Sequence, residues 1–363
     1  MSSYDGLAKN VLSTTLGIQS GDDVIVETWD HGLPIADAFI YHLRELGACP
    51  MLLFEHEEAF WKRAESLSGD LLGKVGEHEW AAMEKAKGYI FIPGPANFTK
   101  VWKNFSKFHA AVSYNQEWYE RAKRYRLKAA RIGLGYASKE RARASNISFT
   151  AWQRMLLAAS NIDYELLKEK MTKVAALLRN GLVHITAPNG TDLNLRLAGR
   201  DAYPEDCIVD NDDLDHGRNT ANIPGGNLLV CPDESYAEGT VVFDRPTPYM
   251  GKWVNGIRFT FKNGTLNEYR ARLNANVLKA SYEKATGEKD KVAILGIGLN
   301  PKARLGFLQD SICAGAITVG IGGNDDVGGA SKTDFYLPGV ITKATLTIDD
   351  NTIIQNGKVT LTS

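Results

Sequence analysis

The sequence predicts an α/β protein of two domains. Residues 1–180 form a parallel-sheet domain, and residues 181–363 form an α+β domain with antiparallel strands. Three observations predict this. The chain has 363 residues, more than one ordinary hydrophobic core spans. Short apolar runs alternate with helical patterns near the N-terminus, as in strands joined by right-handed helical crossovers. From Val183 onward, Thr, Val, Phe and Leu alternate with polar residues between turn signals, the pattern of half-buried strands.

Element by element, Val24-Ile25-Val26-Glu27 reads as a short buried strand. Pro34 opens a helical pattern through Ala38, Phe39, Leu43 and Leu46, closed by Gly47. Pro50 to Phe54 is a second strand, and Gly88 to Ile92 a third, stopped by Pro93-Gly94-Pro95. Helices are expected over Glu57 to Leu67 and Glu79 to Lys87. Glu117 to Arg131 reads as one basic, aromatic helix. Thr150 is placed to cap a helix holding Trp152, Met155 and Leu156, and Asp163 begins another through Leu178. In the second half, Pro188-Asn189-Gly190 and Lys262-Asn263-Gly264 are turns, and Leu266 to Gly287 is expected to hold one helix. The domain boundary falls near Gly181.

Hydrophobic residues make up 44% and charged residues 23%, which is globular composition and excludes disorder. A net charge of -1 argues against nucleic acid or an anionic membrane as partner. Cys49, Cys207, Cys231 and Cys313 form no CxxC pair, so reduced thiols are expected rather than a thiolate metal site. The N-terminus shows no basic, then apolar, leader pattern, and no run approaches the roughly 20 apolar residues of a membrane span. These readings predict a cytoplasmic protein.

Several motifs follow one another in the second half. They are Asn189-Gly190-Thr191-Asp192-Leu193, Leu197-Ala198-Gly199-Arg200, Asn222-Ile223-Pro224-Gly225-Gly226, Ala237 to Asp244, and Leu295-Gly296-Ile297-Gly298-Leu299-Asn300-Pro301. In order and spacing they resemble the aminopeptidase T family of metallo-aminopeptidases. Ser138 to Ala142 fits more loosely. The resemblance implies an aminopeptidase T-like fold, a homodimer, and two divalent metals (Zn, Co or Mn) that acidify a water for peptide hydrolysis. A sister branch, the 2,5-dihydroxypyridine dioxygenases, shares a stretch similar to Gly328-Gly329-Ala330-Ser331-Lys332-Thr333. That branch implies two histidines and an aspartate around iron.

Carried over position by position, the metallopeptidase ligands fall on Asn227, Ile294, Thr318, Tyr336 and Pro338. The dioxygenase ligands fall on Ile294, Tyr336 and Pro338. Isoleucine and proline side chains cannot ligate a metal, and threonine and tyrosine substitute poorly for neutral imidazole. No cofactor is therefore expected. What remains is an expected pocket of Asn227, Thr318, Lys332, Asp334 and Tyr336, walled by Ile294 and suited to a peptide or small organic molecule.

Other clusters invite sharper readings. Asp210-Asn211-Asp212-Asp213-Leu214-Asp215-His216 is the densest acidic run. A relocated metal site with His216 and Asp215 competes there with a solvated acidic loop, which charge runs usually form. Gly320 to Gly329 lacks the spacing of a phosphate loop and reads as tight turns. Glu27, Asp30, His31 and Glu55 to Glu58 follow strand ends where open sheets bind ligands, but no G-x-G-x-x-G occurs there, and Glu57 and Glu58 read as favourable charge at a helix N-terminus. Trp118, Tyr119, Arg121, Arg124, Tyr125 and Arg126 would form either an RNA-stacking face or an amphipathic helix packed on the sheet. Three functional readings stand: a descendant that kept the cleft and binds or transforms a ligand without metal, an aminopeptidase with relocated ligands, and a structural or partner-binding protein.

Overall fold

The computed structural model describes residues 3–97, 100 and 109–360. The chain forms two compact units, Met1–Tyr164 with Cys207–Gly225, and Glu165–Asp206 with Gly226–Ser363. After a helical segment, residues 5–15, the first unit contains β1 (Asp23–Trp29), β2 (Cys49–Glu55), β3 (Gly88–Phe91) and β4 (Lys128–Ile132). Each pairs with its neighbour in parallel. Parallel pairing requires crossovers, and the helix Leu33–Leu46 supplies the first. Pro34 sits in its opening turn, Ile35, Phe39 and Leu43 are buried at helical spacing, and Gly47 ends it at φ 82°.

The chain then lays down β5 (Asn180–Ala187), β6 (Thr191–Ala198) and β7 (Tyr203–Pro204) of the second unit. It returns to the first unit for β8 (Thr220–Ile223), which pairs in parallel with β4. The first sheet therefore runs β2-β1-β3-β4-β8. A single cut near Gly181 does not describe this return, because Thr220–Ile223 is too short to announce itself as a strand. One face of the sheet is closed by Trp80, Met83 and Ala122 packed on Ile25, Tyr89 and Ala129.

The rest of the second unit is antiparallel. It continues with β9 (Asn227–Val230), β10 (Ala237–Val242), β11 (Thr247–Tyr249), β12 (Lys252–Val254), β13 (Arg258–Lys262) and β14 (Thr265–Arg270). Then come β15 (Val292–Gly298), β16 (Ile317–Gly322), β17 (Tyr336–Ile341), β18 (Thr345–Ile348), β19 (Asn351–Gln355) and β20 (Lys358–Val359). One sheet runs β14-β13-β10-β6-β5-β18-β19-β20, a second runs β17-β16-β15-β9-β7, and β11-β12 is a ribbon. In β6, Leu193, Leu195 and Leu197 are buried while Asp192 and Arg196 are exposed, the alternation of a one-sided sheet. β15 and β16 are buried throughout. The α/β class with a parallel N-terminal sheet and antiparallel C-terminal strands is thus observed.

Three sequence expectations need correction. The helix expected over Glu117 to Arg131 is His109–Tyr125. Arg126 leaves helical backbone at φ 51°, and Lys128–Ile132 is the interior strand β4. Ala129 and Ala130 are helix formers by propensity, but here they are buried within the sheet, and tertiary burial overrides propensity. Leu266 belongs to strand β14, and the helix starts only at Ala275. The Asn263-Gly264 turn has φ 52° and 71°, the hairpin geometry that commits the following residues to a strand. Finally, Ser148 rather than Thr150 caps the helix Phe149–Ser160, its hydroxyl accepting from the Ala151 N–H at 3.3 Å.

That cap gives a direct test. Ser148→Ala should lower unfolding stability by about 1 kcal/mol, whereas Thr150→Ala should stay within about 0.5 kcal/mol of the parent. Urea denaturation of both variants checks this, and the reverse ranking would return the cap to Thr150.

Candidate functional site

The five positions that the resemblance marks for metal ligands lie on one face of one sheet. Across β9 and β15, Asn227 pairs with Gly298 and Leu229 with Gly296. Across β15 and β16, Gly296 pairs with Thr318 and Ile294 with Gly320. Across β16 and β17, Gly320 pairs with Pro338 and Gly322 with Tyr336. Directly opposed residues share a face, and side chains alternate along each strand. Asn227, Ile294, Thr318, Tyr336 and Pro338 therefore share theirs. The other face carries Leu295, Ile297, Ile317, Val319, Ile321 and Leu337, all fully buried.

The strand centres on the site face are glycines, and the flanking side chains lean over them. A Cβ at Gly296 would lie 3.0 Å from Asn227 Oδ1 and 3.1 Å from Thr318 Cβ. One at Gly320 would lie 2.5 Å from Ile294 Cγ1 and 3.0 Å from Tyr336 Cε2. Ile294, Thr318 and Asn227 are only 3%, 4% and 6% exposed, while Tyr336 is 43% exposed. Ile294 packs with Cys231, Ala293, Leu229 and Val327. Asn227 Oδ1 and Thr318 Oγ1 are buried with no hydrogen-bond partner among the described residues. Leaving such a group unpaired costs roughly 1–3 kcal/mol.

This set does not fit a pair of divalent cations. Ions of that kind bind carboxylates and imidazoles, and these five residues offer an amide, a hydroxyl, a phenol and two side chains with no donor atom. Their arrangement can instead receive hydrogen-bond donors beside an apolar wall. Lys332 and Asp334 are exposed in the segment that precedes β17. There the Lys332 carbonyl accepts from the Glu288 N–H, and the Asp334 carboxylate accepts from the Thr286 N–H.

A network that the sequence did not disclose holds the loop after β16. Arg200 donates through both terminal nitrogens to Glu234 at 2.7 Å. Glu234 also accepts from Asn324 Nδ2 and the Ala330 N–H. Asn324, fully buried, donates to the Ala293 carbonyl and accepts from the Ser331 N–H. Burial alone would raise the Glu234 carboxyl, but Arg200, the Ala330 N–H and Asn324 outweigh it and hold the carboxyl down at about 2. Gly320 to Gly322 thus complete β16, and the residues up to Gly329 are a pinned turn with Gly328 at φ 90°, not a phosphate cradle. Only the Leu-Ala-Gly-Arg motif hinted at Arg200. Nothing near Glu234 in sequence points to its partners.

The acidic run is a short helix, Asn211–Asp215, rather than a loop. Asp210 and Asp213 form a capping box. Arg218 bonds to Asp212 and Asp213, and Arg126 to Asp215. His216 donates from Nδ1 to the Asp212 carbonyl at 2.7 Å. Among the described residues, no three His, Cys, Asp or Glu side chains meet as a metal-binding group would require. At the parallel-strand ends, Asp30 accepts from the Glu57 N–H, Glu57 from Trp61 and from the Ala96 and Asn97 N–H groups, and His31 donates to the Gly135 carbonyl. Those polar residues hold loops. On the helix His109–Tyr125, Trp118 packs edge-on against Tyr89, and Arg121 lies over Trp80. No helix among the described residues is long and apolar enough to cross a membrane.

Comparison with known proteins agrees with the architecture. The chain is similar to a solved structure of wild-type AmpT from Thermus thermophilus, with 18% identity and a TM-score of 0.73 over 99% of each chain. It is also similar to 2,5-dihydroxypyridine dioxygenase from Pseudomonas putida KT2440, with 15% identity and a TM-score of 0.64 over 100% of this chain and 99% of that one. At these identities the likeness shows the fold. No curated protein sequence matches the chain significantly. The model of one protein family, described as thermophilic metalloprotease (M29), matches residues 2–290. That stretch is well over half of the sequence, and the chain belongs to the thermophilic metalloprotease (M29) family.

Proposed function

We propose that this protein is a divergent member of its family that binds a peptide or small organic molecule, without metal, on the β9–β15–β16–β17 face. The observation that carries the reading is the pair of buried, unpartnered oxygens, Asn227 Oδ1 and Thr318 Oγ1, over the Gly296 floor. Those oxygens call for a ligand that presents N–H or O–H donors, as peptide amides do. Ile294 and the ring of Tyr336 supply apolar surface beside them. The matched residues 2–290 include Asn227 but not the strands β15, β16 and β17 that bear Ile294, Thr318, Tyr336 and Pro338. A homodimer and a cytoplasmic location belong to the same proposal.

Family membership favours a second reading, a metal-dependent aminopeptidase with other ligands. The acidic run gives it little support, since Arg218 and Arg126 already engage Asp212, Asp213 and Asp215. One experiment separates the two. Protein purified without chelators should contain no stoichiometric zinc, cobalt or manganese by plasma mass spectrometry. It should release no p-nitroaniline from leucyl-p-nitroanilide in a chelator-sensitive way after those metals are added. Two ions per chain together with such activity would establish the second reading and end the first.

The unpartnered hydroxyl yields an independent test. Thr318→Val keeps the shape and removes an unpaired polar group, so the ligand-free variant should gain roughly 1 kcal/mol of stability. Native mass spectrometry should show that a small molecule co-purifying with the parent is absent from the variant. A stability loss larger than about 1 kcal/mol would show that the hydroxyl serves folding, and the site reading would fail.

A further inference from the structure

The first unit contains a hollow formed by other residues than those of the proposed site and unexplained by the family's chemistry. It lies between the parallel sheet and the helix His109–Tyr125. Two rows of cross-strand neighbours form its floor. Tyr89, Ala129 and Thr220 lie side by side on β3, β4 and β8, and Glu27, Phe91 and Arg131 on β1, β3 and β4. Ala129, the small residue among bulkier neighbours, is part of the lining. Trp118 and Tyr119 of the helix complete the lining. Trp118 is fixed by an edge contact to Tyr89, with ring centroids 5.1 Å apart.

The polar atoms facing this space are incompletely used. Arg131 donates from its terminal nitrogen to Tyr119 Oη at 2.8 Å, but its Nε is buried with no partner among the described residues. Thr220 Oγ1 is likewise buried and unpartnered. Glu27 accepts a short hydrogen bond from the Tyr89 hydroxyl through one oxygen, which leaves the other for the cavity. A buried donor, a hydroxyl and a carboxyl thus converge between aromatic walls, a composition typical of small-ligand sites. The cavity measures about 80 Å³. One ordered water takes roughly 10–15 Å³ of such space, so about five to eight atoms of that size fit.

We propose that this cavity binds a compact, planar, neutral heterocycle with adjacent N–H and C=O groups, its carbonyl on Arg131 Nε and its amide edge on Glu27. The flat walls of Phe91 and Trp118 select a ring, and the volume limits it to a single one. Burial pushes the Glu27 carboxyl up to about 7, against the lowering effect of the Tyr89 hydrogen bond, while Glu79 and Glu55 raise it further and Arg131 lowers it. With one oxygen held by Tyr89, a protonated Glu27 donates through the other to a carbonyl on the amide edge of the ligand. An ionised one can only accept.

Uracil is a suitable probe, titrated into the full-length protein by calorimetry. A carboxyl that titrates near 7 is about nine-tenths protonated at pH 6 and about one-tenth at pH 8. Saturable binding should therefore weaken about tenfold between those pH values. Glu27→Gln should flatten this dependence, and Arg131→Met should lose at least tenfold in affinity. Ala129→Leu should fill the hollow and abolish binding while circular dichroism and the melting temperature show a folded protein. Absence of saturable binding would overturn the proposal. So would equal affinity for benzene, or uracil binding that survives Ala129→Leu.

Discussion

The close approach of strands and side chains over Gly296 and Gly320 is the constraint on which the second unit depends. β15 and β16 carry a full hydrophobic layer on one face, with Leu295, Ile297, Ile317 and Val319 fully buried. On the other face their centres are glycine, and Asn227, Thr318, Ile294 and Tyr336 lie so close over them that an added methyl group would be crowded. Glycine in a strand weakens it by itself, and it marks places where something else must come near. The sheet tolerates these glycines because its hydrophobic face and its paired neighbours hold it in place.

That geometry is also consistent with the metal-free site proposed above. Carboxylates crowded over the same floor without cations would repel one another in a poorly solvated setting. Neutral residues remove that repulsion, so Asn227, Ile294 and Thr318 are mutually consistent as a set. The Glu234–Arg200–Asn324 network shows the contrasting solution nearby. There a charge is kept inside because four donors surround it, and a partly buried carboxylate is tolerable only when it is so fully hydrogen-bonded. This network ties the loop after β16 to the start of β15, so the strands bearing Thr318 and Ile294 are braced from outside the site.

The first unit handles a buried carboxyl in yet another way. Glu27 shares its face of the sheet with Tyr89 and Phe91 and has one short hydrogen bond, so burial leaves it close to half protonated at neutral pH. A titratable group in an aromatic hollow that structural needs do not fill is the kind of departure from ideal packing that accompanies sites rather than cores.

What the sequence determined by itself was whatever local pattern and chain order encode. The strands at Val24, Pro50 and Gly88, the helix closed by Gly47, the turns at Gly190 and Gly264, and the antiparallel texture after Val183 all rest on periodicity and turn chemistry that act within a few residues. The family followed from several short motifs in order, and the five positions from their places beside those motifs. Tertiary structure alone decided what depends on partners distant in sequence. Lys128–Ile132 became a strand because the sheet buries its alanines, although its composition favours a helix. Thr220–Ile223 became one because β4 offered it an edge. Glu234 found Arg200, Asn324 and Ala330, and Glu27 came to share a hollow with Arg131 and Thr220, through register across strands that no local window contains.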